Sequence, residues 1–358
     1  MRISTLAKSS ICAAVLVVPL ALSGCGYEKP SDSNITPPPK NIDVMKKDAA
    51  DKKQVVKNDE SATKKAEKTT DYKLFLIDAN GHVAPQTLSL PTTSAPAEQV
   101  LKYLVKGGPV ASLLPKGFKA VLPEGTTFNL NLQKKDGTVV VDFSKDFLNY
   151  NSKDEDKMLQ ALTWTLTQFN TINHVKLQVS GKDLKEMPVG KTQISPEGLS
   201  RADGINVDLG NVVDITNSDS VIVYYLAENS KGQSYYVPVT ERIDHTKDKV
   251  TAAVNALVKA PTGISGLQSP FDPNVALISH PVVKDGVVTL NFNDALFTAK
   301  NNIVNDQAVN ALALTLTDQE GIKKVALEVN GKTKMTLESG KPLAEPVSRP
   351  SVFNKIGI

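Results

Sequence analysis

KDGTVVVDFSKDF at 135–147 and KDGVVTLNFNDAL at 284–296 are two copies of one cassette, 149 positions apart. In each, an Asp-Gly pair precedes strict alternation of apolar side chains: Val139, Val141 and Phe143, then Val288, Leu290 and Phe292. Asp-Gly supplies positive-φ residues for a tight hairpin turn, and period-2 alternation marks a strand with one buried face. So wide a spacing predicts a duplicated domain rather than a local repeat.

The duplication extends outward from the cassette in both directions. Upstream, YKLFLI (72–77) and VIVYYL (221–226) open each copy as strands. Turns at Asn80-Gly81 and Lys231-Gly232 lead into second extended runs. An amphipathic helix follows, its apolar face formed by Val100, Leu101, Leu104 and Val105, or by Ala253, Val254, Leu257 and Val258. Ser94 is its expected N-cap in the first copy. Variable loops at 107–118 and 260–271 precede strands expected at 126–132 and 275–280. Downstream, Ser152 and Glu155 suit a capping box for a second helix striped by Leu159, Leu162, Leu166 and Phe169. Its counterpart carries Val309, Leu312 and Leu316, and both copies keep Thr-Leu-Thr at 165–167 and 315–317. A last alternating strand ends in Gly181-Lys182 or Gly331-Lys332, and Ser-Arg trails each copy at 200–201 and 348–349.

Each copy therefore reads β-β-α-β-β-α-β. The fold class expected is α+β: two tandem homologous two-layer sandwiches, helices on one side and a largely antiparallel sheet on the other. The boundaries expected are a targeting segment at 1–24, a tether at 25–71, domains at 72–201 and 220–350, a linker at 202–219 and a tail at 351–358. Within the linker, Ile205, Val207 and Leu209 alternate like a short strand that would pack the units together.

The first 24 residues are a signal segment. Arg2 and Lys8 precede an apolar run from Ile11 to Leu22, too short for a comfortable membrane span, and Leu22-Ser23-Gly24-Cys25 follows. That string resembles the lipobox of bacterial lipoproteins, which implies lipidation of Cys25 and attachment to a bilayer outside the cytoplasm. Cleavage there would lower the formal charge from +3 to +1 and remove Cys12, leaving no second thiol for a disulfide. So nearly neutral a chain has no basic field to hold nucleic acid. Residues 26–71 combine Pro37-Pro38-Pro39 with a Lys/Asp/Glu/Ala tract poor in large apolar residues. Such a segment cannot offset its ordering entropy and would span about 35–40 Å as a coil.

The cassettes, Gly125-Thr126, the Thr-Leu-Thr helices and the closing VKLQVSGK and VALEVNGK resemble the germane (GerMN) domains of sporulation and spore-germination lipoproteins. The resemblance covers about 72–201 and 221–349. It implies a palmitate-bearing, membrane-anchored, extracytoplasmic protein at the membranes around the forespore, working with other exported sporulation proteins. The inner α-β-β-α-β is also similar to the ring-building motif of secretion and sporulation channel proteins, which implies a packing module for assemblies.

No cofactor, metal site or catalytic residue is expected. His82, His174, His245 and His280 are scattered without metal-ligand spacing. Asp154, Glu155 and Asp156 complement a helix dipole, as acids in a first turn do. Asp142 and Asp146 could be paired as acid and base, but Asn291 stands where Asp142 would recur, and no nucleophile motif accompanies them. Trp164, where the second copy has Leu314, reads as packed at the stripe's edge. Tyr224, Tyr225, Tyr235 and Tyr236 crowd one hairpin and are the candidate interface for a protein partner. The function expected is a non-enzymatic tethered scaffold. The alternatives are a peptidoglycan- or solute-binding lipoprotein with its site between the two units, and, behind that, a cell-wall hydrolase.

Overall fold

The computed structural model describes residues 68–133, 135–210, 212–299 and 302–355, so Cys25 and most of the tether lie outside the described residues. The first repeat runs β1 (Thr69–Ile77), β2 (Val83–Pro91), α1 (Pro96–Lys102), β3 (Phe128–Gln133), β4 (Thr138–Phe143), α2 (Glu155–Leu166), β5 (His174–Val179) and β6 (Lys182–Asp183). The second runs β7 (Ser218–Glu228), β8 (Ser234–Asp244), α3 (Lys249–Lys259), β9 (Val282–Lys284), β10 (Val287–Phe292), β11 (Phe297–Ala299), β12 (Ile303–Val304), α4 (Asp306–Leu316), β13 (Lys324–Val329), β14 (Met335–Leu337), β15 (Pro342–Leu343) and β16 (Val347–Ser348). The expected order thus appears twice, with a small extra sheet, β11-β12-β14-β15, added to the second repeat.

The main sheets are β3-β4-β5-β6 and β16-β13-β10-β9. Their outer pairings are antiparallel, but β4 with β5 and β10 with β13 are parallel, because a helix carries the chain from one to the other. Both cassettes lie on these central strands. Val139, Val141, Phe143, Val288, Leu290 and Phe292 are all buried, and each is worth about 1.5–3 kcal/mol relative to exposure. A one-residue slip would turn all of them outward, so the alternation sets the register.

Each hairpin, β1-β2 or β7-β8, is a separate two-stranded ribbon, with no strand pairing to a main sheet among the described residues. The second helix of each repeat lies between sheet and ribbon, along the free edge of the ribbon's first strand. The backbone N–H of Phe75 donates to Thr165 Oγ1 at 3.0 Å, and that of Tyr224 to Thr315 Oγ1 at 3.0 Å. Gln168 serves the N–H and the C=O of Lys73, at 2.9 and 2.8 Å, as a neighbouring strand would. An edge that would otherwise invite pairing is closed by a helix.

Several local expectations are corrected. The first strand starts at Thr69, inside the expected tether, because Thr69 pairs with Pro91. Ala95 rather than Ser94 caps α1, which ends before Leu104 and Val105. Ser152 heads a 3₁₀ turn and Glu155 opens α2 without a capping box. Residues 275–280 touch the sheet only through an isolated bridge from Leu277 to Phe292, and the edge strand is β9. Asp285 and Gly286 both take positive φ in a two-residue turn, whereas among the described residues of the longer first-copy loop only Gly137 does so.

Candidate functional site at the seam between the repeats

The four tyrosines are not an outward surface. Tyr224, Tyr225 and Tyr235 are 1, 0 and 6 % exposed, and Tyr236 is half-buried against Phe353. Tyr224 stacks edge-on to Phe353 at 6.1 Å and accepts from Arg349 Nη2 at 2.7 Å. The Tyr225 hydroxyl donates to Glu241 at 2.7 Å, and that of Tyr235 to Asp78 of the other repeat at 2.8 Å. The ribbon is covered by its own helices and by the other repeat, so alternation across it exposes neither set of rings. As a docking face for another protein the cluster is corrected; it belongs to the contact between the repeats.

That contact is made edge to edge, by β2 against β8. Pro85 and Pro238 sit at matching places on the two facing edges and lack the N–H a direct ladder would need. Two asparagines fill the gap. Asn206 Oδ1 accepts from the N–H of Val83 at 2.9 Å, and its Nδ2 donates to Val83 O and Pro238 O, both at 2.8 Å. Asn354 Oδ1 accepts from the N–H of Tyr236 at 2.8 Å, and its Nδ2 donates to Tyr236 O at 2.7 Å and Pro85 O at 2.8 Å. Each asparagine serves its own ribbon twice and the other once, a pseudo-twofold arrangement. Both hold positive φ, 45° and 52°, a conformation Asn tolerates better than most residues.

The sequence reading missed these residues, although a signal existed. The trailing Ser-Arg continues to a shared Asn: SRADGIN at 200–206 and SRPSVFN at 348–354. Arg201 lies over Trp164 at 4.5 Å and donates to Thr167; Arg349 lies over Tyr224 at 5.2 Å and donates to Thr317. The linker expected at 202–219 is in part built into the seam. Ile205 is fully buried and its C=O accepts from the Thr240 N–H at 2.8 Å, whereas Val207 and Leu209 are exposed.

Two buried polar clusters flank the asparagines. In one, Asp78 accepts from the backbone of Asn80 and His82, lies 3.0 Å from His82 Nδ1, and accepts from Tyr235. Burial works against its charge, but the His82 and Tyr235 hydrogen bonds hold its carboxyl below the usual range. In the other, Glu241 and Asp208 are both buried. Burial chiefly, with Asp208 adding, pushes Glu241 up to about 7 while the Tyr225 hydroxyl opposes the shift.

The expected acids have structural partners. Asp142 accepts from the Gly181 N–H at 2.9 Å, and Asn291 from that of Gly331 at 3.0 Å. An amide does the same work as the carboxylate, so the position needs an acceptor and no charge. Glu155 is buried and receives the N–H groups of Val189, Gly190 and Thr192 together with the Tyr150 hydroxyl. Burial opposes its charge, yet these donors hold its carboxyl below normal. Trp164 is buried and donates to Gly204 O at 3.2 Å. His245 and His280 lie at the surface beside Asp219 and Asp248, and His174 lies on β5. Among the described residues no group of three or more His, Cys, Asp or Glu is placed to hold a metal, and no helix is long and apolar enough to cross a membrane.

Comparison with known proteins agrees with the duplication. The germane family model, described as sporulation and spore germination, matches residues 73–185 and again 222–334. Spore germination protein GerM of Bacillus subtilis (strain 168) is 46 % identical over 355 residues, 96 % of each chain. The solved tandem GerMN domains of the sporulation protein GerM from Bacillus subtilis superpose with a TM-score of 0.75 at 50 % identity, covering 81 % of this chain and all of that one. None of these is described as an enzyme. With both repeats matched and the fold shared, the chain belongs to the germane family of sporulation and spore germination proteins and carries two of its domains in tandem.

Proposed function

We propose that the chain is a non-enzymatic scaffold of sporulation that also affects germination, held by a lipid on Cys25 at the outer face of the cell membrane. In a sporulating cell it stands at the membranes around the forespore and helps assemble or position an envelope-spanning complex of exported proteins. The observation that carries this reading is the seam: two copies of one domain are joined through half-buried asparagines into a single body, with their suggestive carboxylates engaged in turns and caps. A rigid pair suits positioning, and the germination role named for the relative supports the setting.

With the tyrosines buried, the surfaces left for partners are the loops at 107–118 and 260–271 and the sheet edges. The β9 edge presents Val282 and Val283, 62 and 52 % exposed. Photo-crosslinkers placed at Val282 and at Asn129 of β3 are expected to capture exported proteins during sporulation. Capture of wall fragments alone would remove the scaffold reading. Cys25→Ala should abolish acyl labelling and release the chain from the membrane fraction; unchanged fractionation with labelling intact would remove the anchor.

A further inference from the structure

A cleft of about 570 Å³ opens between the 112–118 loop of the first repeat and the tip of the β7-β8 hairpin of the second. Gln86 of β2 lines it. This residue is only 4 % exposed, and its side-chain nitrogen is buried with no hydrogen-bond partner among the described residues. Strand register shows what is unusual: Gln86 faces Leu74, whereas in the second repeat Val239 faces Val223. An apolar side chain therefore fits this position, yet here stands an amide whose donor finds no partner among the described residues. Such a donor disfavours the empty cleft and rewards an acceptor placed there.

The rest of the lining indicates what brings that acceptor. Lys116, Lys231 and Lys355 contribute three positive charges and no carboxylate among the described residues lines the cleft, which favours an anion. Ser112, Ser234, Asn229 and Gln233 offer neutral donors and acceptors suited to hydroxyls. Phe118 and Tyr235, edge-on at 5.2 Å and 7 and 6 % exposed, offer the cleft aromatic edges against which C–H groups of a sugar ring can rest. The volume falls in the range of small-molecule sites, about 300–1,000 Å³, and exceeds what a bare inorganic anion would fill. We propose that this cleft binds a carboxylate-bearing saccharide, with the lysines on the carboxylate and the Gln86 amide, closed off in the empty cleft, turning to donate to an oxygen seated at the floor. The proposal does not rest on the scaffold reading, although the 112–118 loop lies within a surface left for partners: its test reads ligand binding at Gln86 and the lysines, whereas the scaffold reading is tested by capture at Val282 and Asn129.

The test uses residues 64–358, which form one compact unit, labelled with ¹⁵N and titrated with N-acetylmuramic acid, N-acetylglucosamine or inorganic phosphate. N-acetylmuramic acid is expected to give saturable shifts at the Gln86 side-chain amide and in residues 112–118 and 229–235. The neutral sugar and phosphate should bind at least about tenfold more weakly. Gln86→Val, which installs the residue type present at 239, should weaken binding by at least about tenfold while leaving the unfolding midpoint unchanged or raised. Lys116→Ala with Lys231→Ala should abolish the preference for the acidic sugar. A muramidase-released disaccharide that binds more tightly than the monosaccharide identifies a wall glycan as the source, and equal binding a free sugar. Absence of saturation up to about 10 mM, an equal response in Gln86→Val, or a lowered midpoint for that variant overturns the proposal.

Discussion

Glu241 is the residue at which the seam meets physiological pH. Its carboxyl is raised to about 7 from an ordinary 4.5, by burial first and Asp208 second. The folded chain therefore holds this proton more tightly than the unfolded chain does. The sign follows: the stabilising contribution is full below pH about 4.5 and is lost as pH rises through 7. The shift amounts to about 3 kcal/mol at most. Glu241→Gln keeps an oxygen to accept from Tyr225 and removes the titration. Urea midpoints of variant and parent should agree near pH 4 and diverge by pH 8, where the variant is the more stable. Parallel pH curves would show that Glu241 does not titrate in this range. Asp78 and Glu155 act on the other side: both are lowered on folding, and their contributions are lost as pH falls through the acid range, outside this window.

At the scale of the element, the repeated Thr-Leu-Thr shows how a helix closes a strand edge. The first threonine of each triplet accepts the outward N–H of the ribbon, from Phe75 or Tyr224; the second accepts from the trailing arginine, Arg201 or Arg349. Thr165→Val keeps the shape and strands the Phe75 N–H in a buried place, which costs about 1–3 kcal/mol. Thr315→Val should cost the same at Tyr224. Thermal or urea unfolding measures both, and Thr165→Ser should retain most of the parent's stability. Equal stability of the valine variants would mean that these bonds do not hold helix to ribbon. Most elements were legible in the sequence because they depend on period: the cassette alternation appears where expected in both copies and the Asp-Gly tight turn in the second, while α1 and α2 stop short of the last residues of their stripes. The seam was not legible, because it depends on which strand edges meet. Tyr224 and Tyr225 read as one inward and one outward ring, yet both are buried because a second repeat and Phe353 cover the far face. Nor does any local pattern show that Gln86 sits at the floor of a cleft; only comparison with Val239 in the other repeat reveals it.

For the whole molecule, the issue is whether duplication yields two domains on a string or one body. The facing edges of β2 and β8 carry prolines at matching places, and the connection falls to the two trailing segments: the side chains of Asn206 and Asn354, backbone bonds of Ile205 and Asp208 to Thr240 and of Asn354 to Thr87, and the Asp78–Tyr235 bond. Each asparagine makes three hydrogen bonds across or along the seam, together worth about 2–4 kcal/mol. Substitution by glycine isolates those bonds, because glycine accepts the positive φ at both positions without strain. The chain's one tryptophan, Trp164, reports on the first repeat, and hydrogen exchange of the β10 amides reports on the second. In the parent chain the two probes should follow a single transition in urea, as one cooperative unit requires. In Asn206→Gly with Asn354→Gly they should separate, each repeat unfolding at its own midpoint. Separate transitions already in the parent would mean that the seam does not couple the repeats. A coupled pair holds the sheet edges of the two repeats in one fixed relation, which is the property the proposed positioning scaffold needs and a flexible pair lacks.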